Sequence, residues 1–246
     1  MTMGEIETAD IEIIDEQKMK ELLRSRKPGE RLDLRERYIK DADLAGCDLR
    51  NIDFSGSTLE KVDLTGADMD GDNVHKVWFK DCPMHAVKLT NCDATEATFR
   101  WIDLTDGDIS GTNIFSSLLE YAKLDGLKYD DRTQYYKLRC PETGPFIGWK
   151  CCTEWRVVQL LIPADAKRVS ATANTCRCSK AKVLSIKSID ETISYTWAQS
   201  TVDADFFYEV GKWAIPSGFQ EDRWMDSSPG IHFFMERQEC VDYQTR

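Results

Sequence analysis

Cationic side chains and one histidine gather in the second half of the 246-residue chain. Guanidinium and ammonium groups bind phosphate and carboxylate oxygens, so such a cluster could hold an anion or a phosphorylated small ligand. The candidate anion or ligand site comprises Lys167, Arg168, Arg177, Lys180, Lys182 and His232. The alternative, which we prefer, is that this positive region docks electrostatically onto the acidic first half of the chain.

No catalytic spacing accompanies these groups. The sequence contains no nucleophile elbow, no P-loop and no His-Glu-x-x-His motif. His232 lies in an apolar, strand-like run, where a histidine more often has a structural role. We therefore expect no catalytic residues and no cofactor, and a non-enzymatic protein is favoured over an enzyme.

Cysteine and histidine spacing does not favour a metal site. Cys151-Cys152 and the pair Cys176 and Cys178 are adjacent or one residue apart, whereas zinc sites usually use Cys-x-x-Cys pairs. His75 and His85 stand alone. Nine cysteines is an odd number for a disulfide framework, and we expect reduced thiols.

The first half of the chain is organised by a period of five residues. A helix or a strand cannot keep every fifth side chain on one side, so the chain must turn a corner about every five residues. Nineteen consecutive positions carry a bulky or apolar residue: Leu34, Ile39, Leu44, Leu49, Phe54, Leu59, Leu64, Met69, Val74, Phe79, Met84, Leu89, Ala94, Phe99, Leu104, Ile109, Ile114, Leu119 and Leu124.

Two further positions of the repeat are constrained. The position two residues before the central one is mostly small, which gives Cys47, Cys82 and Cys92 a role as small hydrophobic residues. Asp and Asn side chains cap tight turns. In eleven repeats they occupy the position directly before the central residue: Asp33, Asp43, Asp48, Asp53, Asp63, Asp68, Asn73, Asp93, Asp103, Asp108 and Asn113.

The pattern Ala/Cys-Asp-Leu-x-x resembles the pentapeptide-repeat family. This resemblance implies a mainly β fold, a right-handed quadrilateral β-helix with four repeats, or twenty residues, per coil. Solenoid ends need covers, and the segment Asp15 to Arg26 is expected to form an N-terminal capping helix. The expected domains are an N-terminal segment (1–30), the β-helix (31–126), a linker (127–145) and a small β or α+β domain (146–246).

If twenty residues make one coil, outward residues twenty apart stack on the same face. Three faces are acidic or small, whereas the fourth carries aromatic residues and cations, the composition of interaction hot spots. The predicted docking face comprises Tyr38, Trp78, Lys80, Arg100, Trp101 and Tyr121. The alternative is that this face packs against the protein's own C-terminal domain.

Beyond Leu124 the period stops and strand-like runs follow, at Val157–Ile162, Lys182–Ile189, Phe206–Ile215 and Ile231–Met235, with a closing helix at Arg237–Tyr243. Several stretches, among them Gly148-Trp149-Lys150, 162–168, Cys176-Arg177-Cys178 and 230–234, resemble a domain of unknown function that follows pentapeptide repeats in bacterial and phage proteins. The resemblance implies two domains but no activity.

Charge separates the two halves. Residues 1–130 hold 28 Asp and Glu against 17 Lys and Arg, while residues 131–246 hold 15 of each. This acidity argues against direct nucleic-acid binding by the repeat half. No membrane-length apolar run is present and the first residues are acidic, so we expect a cytoplasmic protein.

The sequence favours a protein–protein interaction or scaffolding function with an unidentified protein partner. The family resemblance adds acidic DNA mimicry as an alternative, with DNA gyrase or topoisomerase as partner. A third alternative is a small-ligand binder or enzyme in the C-terminal domain, such as a phage-borne inhibitor of host defence. An exposed solenoid end would favour an end-to-end homodimer, whereas the expected caps would prevent it.

Overall fold

The computed structural model describes residues 13–27 and 29–245, so the acidic residues before Ile13 lie outside it. The chain divides into two compact units, Met1–Tyr136 and Lys137–Arg246. Across the described residues the fold is mainly β with two α-helices.

Left-handed corners recur through the repeat unit with a period of five. Thirteen non-glycine residues and six glycines, spaced five apart from Glu36 to Gly126, have positive φ angles between 50° and 75°. A left-handed residue turns the backbone out of an extended path, and this confirms the corner predicted from the period.

Parallel pairing links successive coils. Tyr38 pairs with Thr58, and Thr58 with Trp78, always twenty residues on. Isolated bridges of the repeat unit between residues 43 and 128 keep the same spacing, as between Asp93 and Asn113. The strands are β1 (Ile13–Ile14), β2 (Leu32–Asp33), β3 (Tyr38–Lys40), β4 (Ile52–Asp53), β5 (Thr58–Glu60) and β6 (Trp78–Lys80), with β1-β3-β5-β6 forming one sheet and β2-β4 another.

The core of the repeat unit is the predicted column of fifth residues. From Leu34 to Leu119 all eighteen are at most 5% exposed, and only Leu124 at the end is half-buried. Phe79 and Phe99, one coil apart, stack with ring centroids 5.0 Å apart. The sequence therefore predicted this core correctly.

A helix precedes the coils. Helix α1 spans Glu16–Ser25, and the Asp15 side chain accepts a hydrogen bond from the Lys18 amide as its N-cap. Met19 on its inner face is fully buried. The helix predicted over Asp15 to Arg26 is thus present.

Coil pairing continues beyond the period. Asn113 pairs with Gln134, 21 residues on, and the Gly111 amide donates to Asp130 Oδ1 at 3.0 Å. Residues 127–136, which the sequence places in a linker, therefore belong to the repeat unit. The period could not reveal this, because the last coil contains one additional residue.

The C-terminal unit is built on a seven-stranded antiparallel sheet with strand order β14-β11-β8-β7-β15-β10-β9. Its elements are β7 (Phe146–Cys152), a 3-10 turn (Thr153–Trp155), β8 (Arg156–Ile162), β9 (Arg168–Ser170), β10 (Thr175–Cys178), β11 (Ala181–Ser188), β12 (Trp197–Gln199), β13 (Phe207–Glu209), β14 (Trp213–Ala214), β15 (Ile231–Phe234) and α2 (Arg237–Thr245). Strands β12 and β13 form a separate pair.

Four of these elements, β8, β11, β15 and α2, were predicted from the sequence at nearly the observed bounds. The run predicted at Phe206–Ile215 is instead two short strands. The central strand β7 was not predicted, because Gly148 and Lys150 interrupt its apolar pattern.

Candidate docking face

The most exposed aromatic pair of the repeat unit lies at equivalent left-handed corners of two successive coils. Trp101 (φ 65°) and Tyr121 (φ 61°) are one coil apart. Their rings stack with centroids 3.9 Å apart and an interplanar angle of 11°. Trp101 is 72% exposed and Tyr121 52% exposed, so the pair presents a flat aromatic surface to solvent.

Charged side chains on the same face form cross-coil contacts. The Tyr38 hydroxyl donates to Glu60, and Lys80 Nζ lies 3.3 Å from Glu60 Oε2. The Tyr38 hydrogen bond, followed by the Lys80 contact, lowers the pKa of the Glu60 carboxyl. Lys80 Nζ also lies 5.8 Å from the ring centroid of the half-exposed Trp78.

Arg100 forms a bidentate ion pair. Its Nε and Nη2 donate to the two carboxylate oxygens of Glu120 at 2.8 and 2.9 Å. Glu120 is only 8% exposed, and the Arg100 hydrogen bonds lower the pKa of its carboxyl. The predicted docking residues thus share one face, and two of its cations are held in place by glutamates of neighbouring coils.

The acidic columns have a structural role. In each of the eleven Asp or Asn repeats, the side-chain Oδ1 accepts a hydrogen bond from the backbone amide two residues on. This confirms the predicted turn-capping role. Several carboxylates also form ion pairs, for example Asp103 with Lys123 at 3.1 Å.

One buried acid was not anticipated from the sequence. Asp72 stands at an inward position otherwise filled by small or apolar residues, and it is 1% exposed. Its Oδ1 accepts from the Ile52 amide at 2.7 Å, while Oδ2 has no hydrogen-bond partner. Burial raises the pKa of this carboxyl to about 8.

In the C-terminal unit, Arg177 of the predicted anion site is bound to main-chain carbonyls. It is 3% exposed, and its terminal nitrogens donate to the carbonyls of Gln220, Asp222, Met225 and Asp226 at 2.8–3.0 Å. These contacts fix the 220–226 loop, which gives Arg177 a structural role.

The other members of that predicted site separate into different contacts. His232 faces Arg177 across β10 and β15, its Nε2 lies 2.9 Å from the Ser228 carbonyl oxygen, and burial lowers its pKa. Arg168 donates to several carbonyls, including that of Gly144 at 2.7 Å. Lys167, Lys180 and Lys182 contact Glu221, Asp165 and the Trp213 ring, respectively.

A second group of exposed aromatic residues was missed by sequence reasoning. Trp155, also in a left-handed conformation (φ 57°), is 56% exposed, and Trp197 is 43% exposed. The Arg156 guanidinium lies 4.3 Å from the Tyr195 ring centroid and 4.5 Å from that of Trp197. Trp155 is exposed because it lies in the tight turn between β7 and β8. Because β7 was not predicted from the sequence, this turn could not be predicted either.

The described part of the chain contains neither a metal-binding cluster nor a helix of membrane-spanning character. No group of three or more His, Cys, Asp or Glu side chains there is arranged to hold a metal ion. Neither α-helix has the length and apolarity that crossing a membrane requires.

Comparisons with known proteins cover both units. Residues 39–71 and 84–120 match the pentapeptide repeats (8 copies), and residues 136–240 match a family of unknown function, DUF5758. No curated protein matches the chain.

Several solved structures are similar to the chain. One is HetL, a pentapeptide repeat protein involved in heterocyst differentiation regulation from the cyanobacterium Nostoc sp. strain PCC 7120, at 20% identity and a TM-score of 0.32, covering 40% of this chain and 49% of HetL. A pentapeptide repeat protein from the Arabidopsis thaliana thylakoid lumen has 16% identity and a TM-score of 0.21, with 44% and 72% covered.

The third is trypsin-treated QnrB1, a plasmid-mediated fluoroquinolone resistance protein, with 14% identity and a TM-score of 0.26, covering 45% of this chain and 67% of QnrB1. The chain spans about half the length of HetL. The repeats, their pairing and the matched domain lead to one conclusion: this chain is a pentapeptide-repeat protein that carries a C-terminal domain of the DUF5758 family.

Proposed function

We propose that the repeat unit is a right-handed quadrilateral β-helix that serves as a non-enzymatic scaffold and binds a partner protein through its aromatic face. The twenty-residue register and the corner at every fifth residue support the β-helix. We also propose that α1 covers the N-terminal coil, since it buries Met19 and since Glu16 Oε2 accepts from the Asp43 amide at 3.4 Å.

The observation that carries the proposal is the Trp101–Tyr121 pair. The other seventeen corners hold glycine, alanine, serine or polar residues, which fit a left-handed backbone or a solvent-exposed turn. A left-handed conformation costs a residue with a Cβ roughly 1–2 kcal/mol. Ring stacking contributes only about 0.5–1.5 kcal/mol. Two exposed aromatic residues at such positions therefore add little to the stability of the unit, and a binding role accounts for them.

The surroundings of the pair suit a protein partner. Trp, Tyr and Arg dominate the energetics of protein interfaces. On this face Arg100 is held by Glu120, and Lys80 by Glu60, so neither cation must be ordered when a partner binds. The face is pre-organised, and its exposed, stacked rings suit contact with a protein surface.

A void within the coils of the repeat unit has a volume of about 10 Å³ and is lined by core side chains such as Leu104 and Ile109. This is at the lower limit of the space that one water molecule needs. The void is therefore too small for a ligand, and we place binding by the repeat unit on its outer surface.

Capture from host lysate tests the proposal. Wild-type protein is compared with the Trp78→Ala/Trp101→Ala variant, after circular dichroism shows that both fold. Trp155→Ala is the matched control, because it removes another exposed, left-handed tryptophan from the other unit. We expect a partner that is retained by wild type and Trp155→Ala and lost by the double variant. Equal capture by all three proteins contradicts the proposal.

The acidity of the repeat unit favours a second candidate function, mimicry of DNA towards gyrase or topoisomerase. Asp43 and Asp63 lie on one face of successive coils, and Asp103 lies two coils further along the same face. Against this, parallel chains are spaced ~4.8 Å apart, unlike phosphates, and the columns also contain Lys88, Lys123 and Lys128.

A gyrase supercoiling assay distinguishes the two functions. Asparagine can still accept the turn hydrogen bond but carries no charge, so Asp43→Asn/Asp63→Asn/Asp103→Asn isolates the electrostatic contribution. DNA mimicry requires inhibition or protection of gyrase at micromolar protein that weakens in this variant. No effect of the wild-type protein excludes it.

A further inference from the structure

Two cysteine thiols from distant parts of the C-terminal unit lie in direct contact. Cys151, near the end of β7, and Cys240, in α2, are separated by 89 residues in the chain, and their sulfur atoms are 2.8 Å apart. Cys151 Sγ also lies 2.8 Å from the Cys240 carbonyl oxygen. Both residues are buried, together with Val157 and Phe234, where α2 packs on the sheet.

This geometry is close to that of a disulfide. A disulfide joins sulfurs ~2.05 Å apart, so bond formation requires a movement of less than 1 Å. Buried cysteines of the repeat unit are different: Cys92 Sγ donates to the Met69 carbonyl at 3.0 Å and Cys82 Sγ to the Leu59 carbonyl at 3.3 Å. Those thiols contact main-chain oxygen instead of a second sulfur.

The surroundings prepare one of the two sulfurs for reaction. The hydrogen bond with Cys240 lowers the pKa of the Cys151 thiol, and the neighbouring Lys150 ammonium acts in the same direction. The thiolate is the reactive form of cysteine. The exchange can begin with attack by Cys151; with the roles of the two sulfurs reversed it gives the same disulfide.

We propose that Cys151 and Cys240 form a reversible dithiol–disulfide couple that fastens α2 to β7. The oxidant is a small-molecule disulfide of the glutathione class. The Cys151 thiolate attacks one sulfur of the oxidant, breaks its S–S bond and releases one thiolate. The Cys240 thiolate then attacks Cys151 Sγ in the mixed disulfide and releases the second. The two protein thiols lose two protons and two electrons, and the oxidant is reduced to two thiols.

Access to the buried pair requires α2 to open. Cys240 is the single buried residue of this nine-residue helix, and elements with few buried contacts open locally at lower free energy than a central sheet. The Arg139–Glu239 ion pair and a hydrogen bond from Gln244 to the Cys152 carbonyl resist this opening. Once formed, the disulfide closes a long loop, which strongly restricts the unfolded chain.

The test equilibrates the full-length reduced protein in buffers with increasing ratios of oxidised to reduced glutathione. Free thiols are alkylated and the protein is digested with trypsin. Cleavage after Lys150, Arg156 and Arg237 places the two cysteines in peptides 151–156 and 238–246. Hydrogen exchange of α2, followed to completion, shows that the helix has opened during the incubation.

The expected result is a disulfide-linked pair of these peptides and a melting temperature of the C-terminal unit raised by roughly 10 °C, which excess reductant reverses. Because Cys152 shares the first peptide, three variants assign the bond: the link persists in Cys152→Ser and disappears in Cys151→Ser and in Cys240→Ser. Cys82 and Cys92 should remain alkylatable throughout.

Full alkylation of Cys151 and Cys240 in the most oxidising buffer, after complete exchange of α2, overturns the proposal. A link that survives in Cys151→Ser overturns it as well. The alkylation readout uses the wild-type protein, so it tests the proposal even if a variant fails to fold.

Discussion

The two units of this protein use polar side chains in different ways. In the repeat unit, eleven Asp or Asn side chains form the same local hydrogen bond, so each should contribute a small and similar part of the stability. In the C-terminal unit, the single guanidinium of Arg177 contacts four carbonyls of one loop. We therefore expect the repeat unit to tolerate the loss of individual polar side chains, whereas the stability of the C-terminal unit depends on particular ones.

The largest expected effect follows from Arg177→Ala. Removing a buried guanidinium leaves four carbonyls without their donor, and losses of this kind cost roughly 3 kcal/mol or more. We expect chemical denaturation to show a strongly destabilised or unfolded C-terminal unit. The control Lys167→Ala removes an exposed ion pair with Glu221 and should cost less than about 1 kcal/mol. Similar costs for the two variants would contradict the comparison.

Asp72 is the exception within the repeat unit, and its effect depends on pH. The folded state holds the Asp72 proton up to a pKa of about 8, whereas the unfolded state releases it near pH 4. The folded state therefore binds more protons over this range, and the free energy of unfolding falls as pH rises from 4 to 8.

We expect Asp72→Asn to be more stable than wild type by a few kcal/mol at pH 8, with the difference shrinking towards pH 4. Thr112→Val alters a position of the same inward column without a titratable group, so its effect should not follow this pH dependence. A constant difference for Asp72→Asn at both pH values would refute the assignment.

The loss of a single turn-capping aspartate should lower the free energy of unfolding much less. Asp93 Oδ1 accepts from the Thr95 amide at 3.0 Å and from the Thr95 hydroxyl at 2.7 Å. By analogy with helix caps, Asp93→Ala should cost about 1 kcal/mol in urea denaturation. Asp93→Asn retains the acceptor and should cost less. A loss of folding in Asp93→Ala would show that the repeats are not redundant.

The smallest effect on stability is expected for Trp101→Gly. Relief of the left-handed strain, roughly 1–2 kcal/mol, offsets the lost stacking on Tyr121, about 0.5–1.5 kcal/mol. Thermal unfolding should therefore change little while partner binding is lost. A large loss of stability would mean that Trp101 supports the fold, and the comparison would need revision.

The sequence predicts the repeat unit well because its structure is local. One period determines the buried column from Leu34 to Leu119 and the corners, and the turn role of the aspartates follows from their position. The burial of Asp72 was not predicted, because the other residues at its position in the repeat are small or apolar. The last coil was not predicted, because Gln134 is displaced by one residue from the period.

The C-terminal unit is less predictable because its order depends on contacts between distant residues. Single strands such as β8 show an apolar pattern, but the place of β7 at the centre of the sheet does not follow from its composition. Composition likewise cannot distinguish an arginine that binds a ligand from one that binds main-chain carbonyls, as Arg177 does. The contact between Cys151 and Cys240 also appears only in three dimensions.

Photo-crosslinking from the docking face is the most direct test of whether this face binds a partner protein. The full-length protein carries p-benzoyl-phenylalanine in place of Tyr121 and is irradiated in host lysate, with the same group in place of Trp155 as control. We predict one dominant partner protein crosslinked to position 121. This product should be absent with the crosslinker at position 155 and should be lost when Trp101→Ala is added. No specific product from position 121, or the same products from both positions, would contradict a docking function for this face.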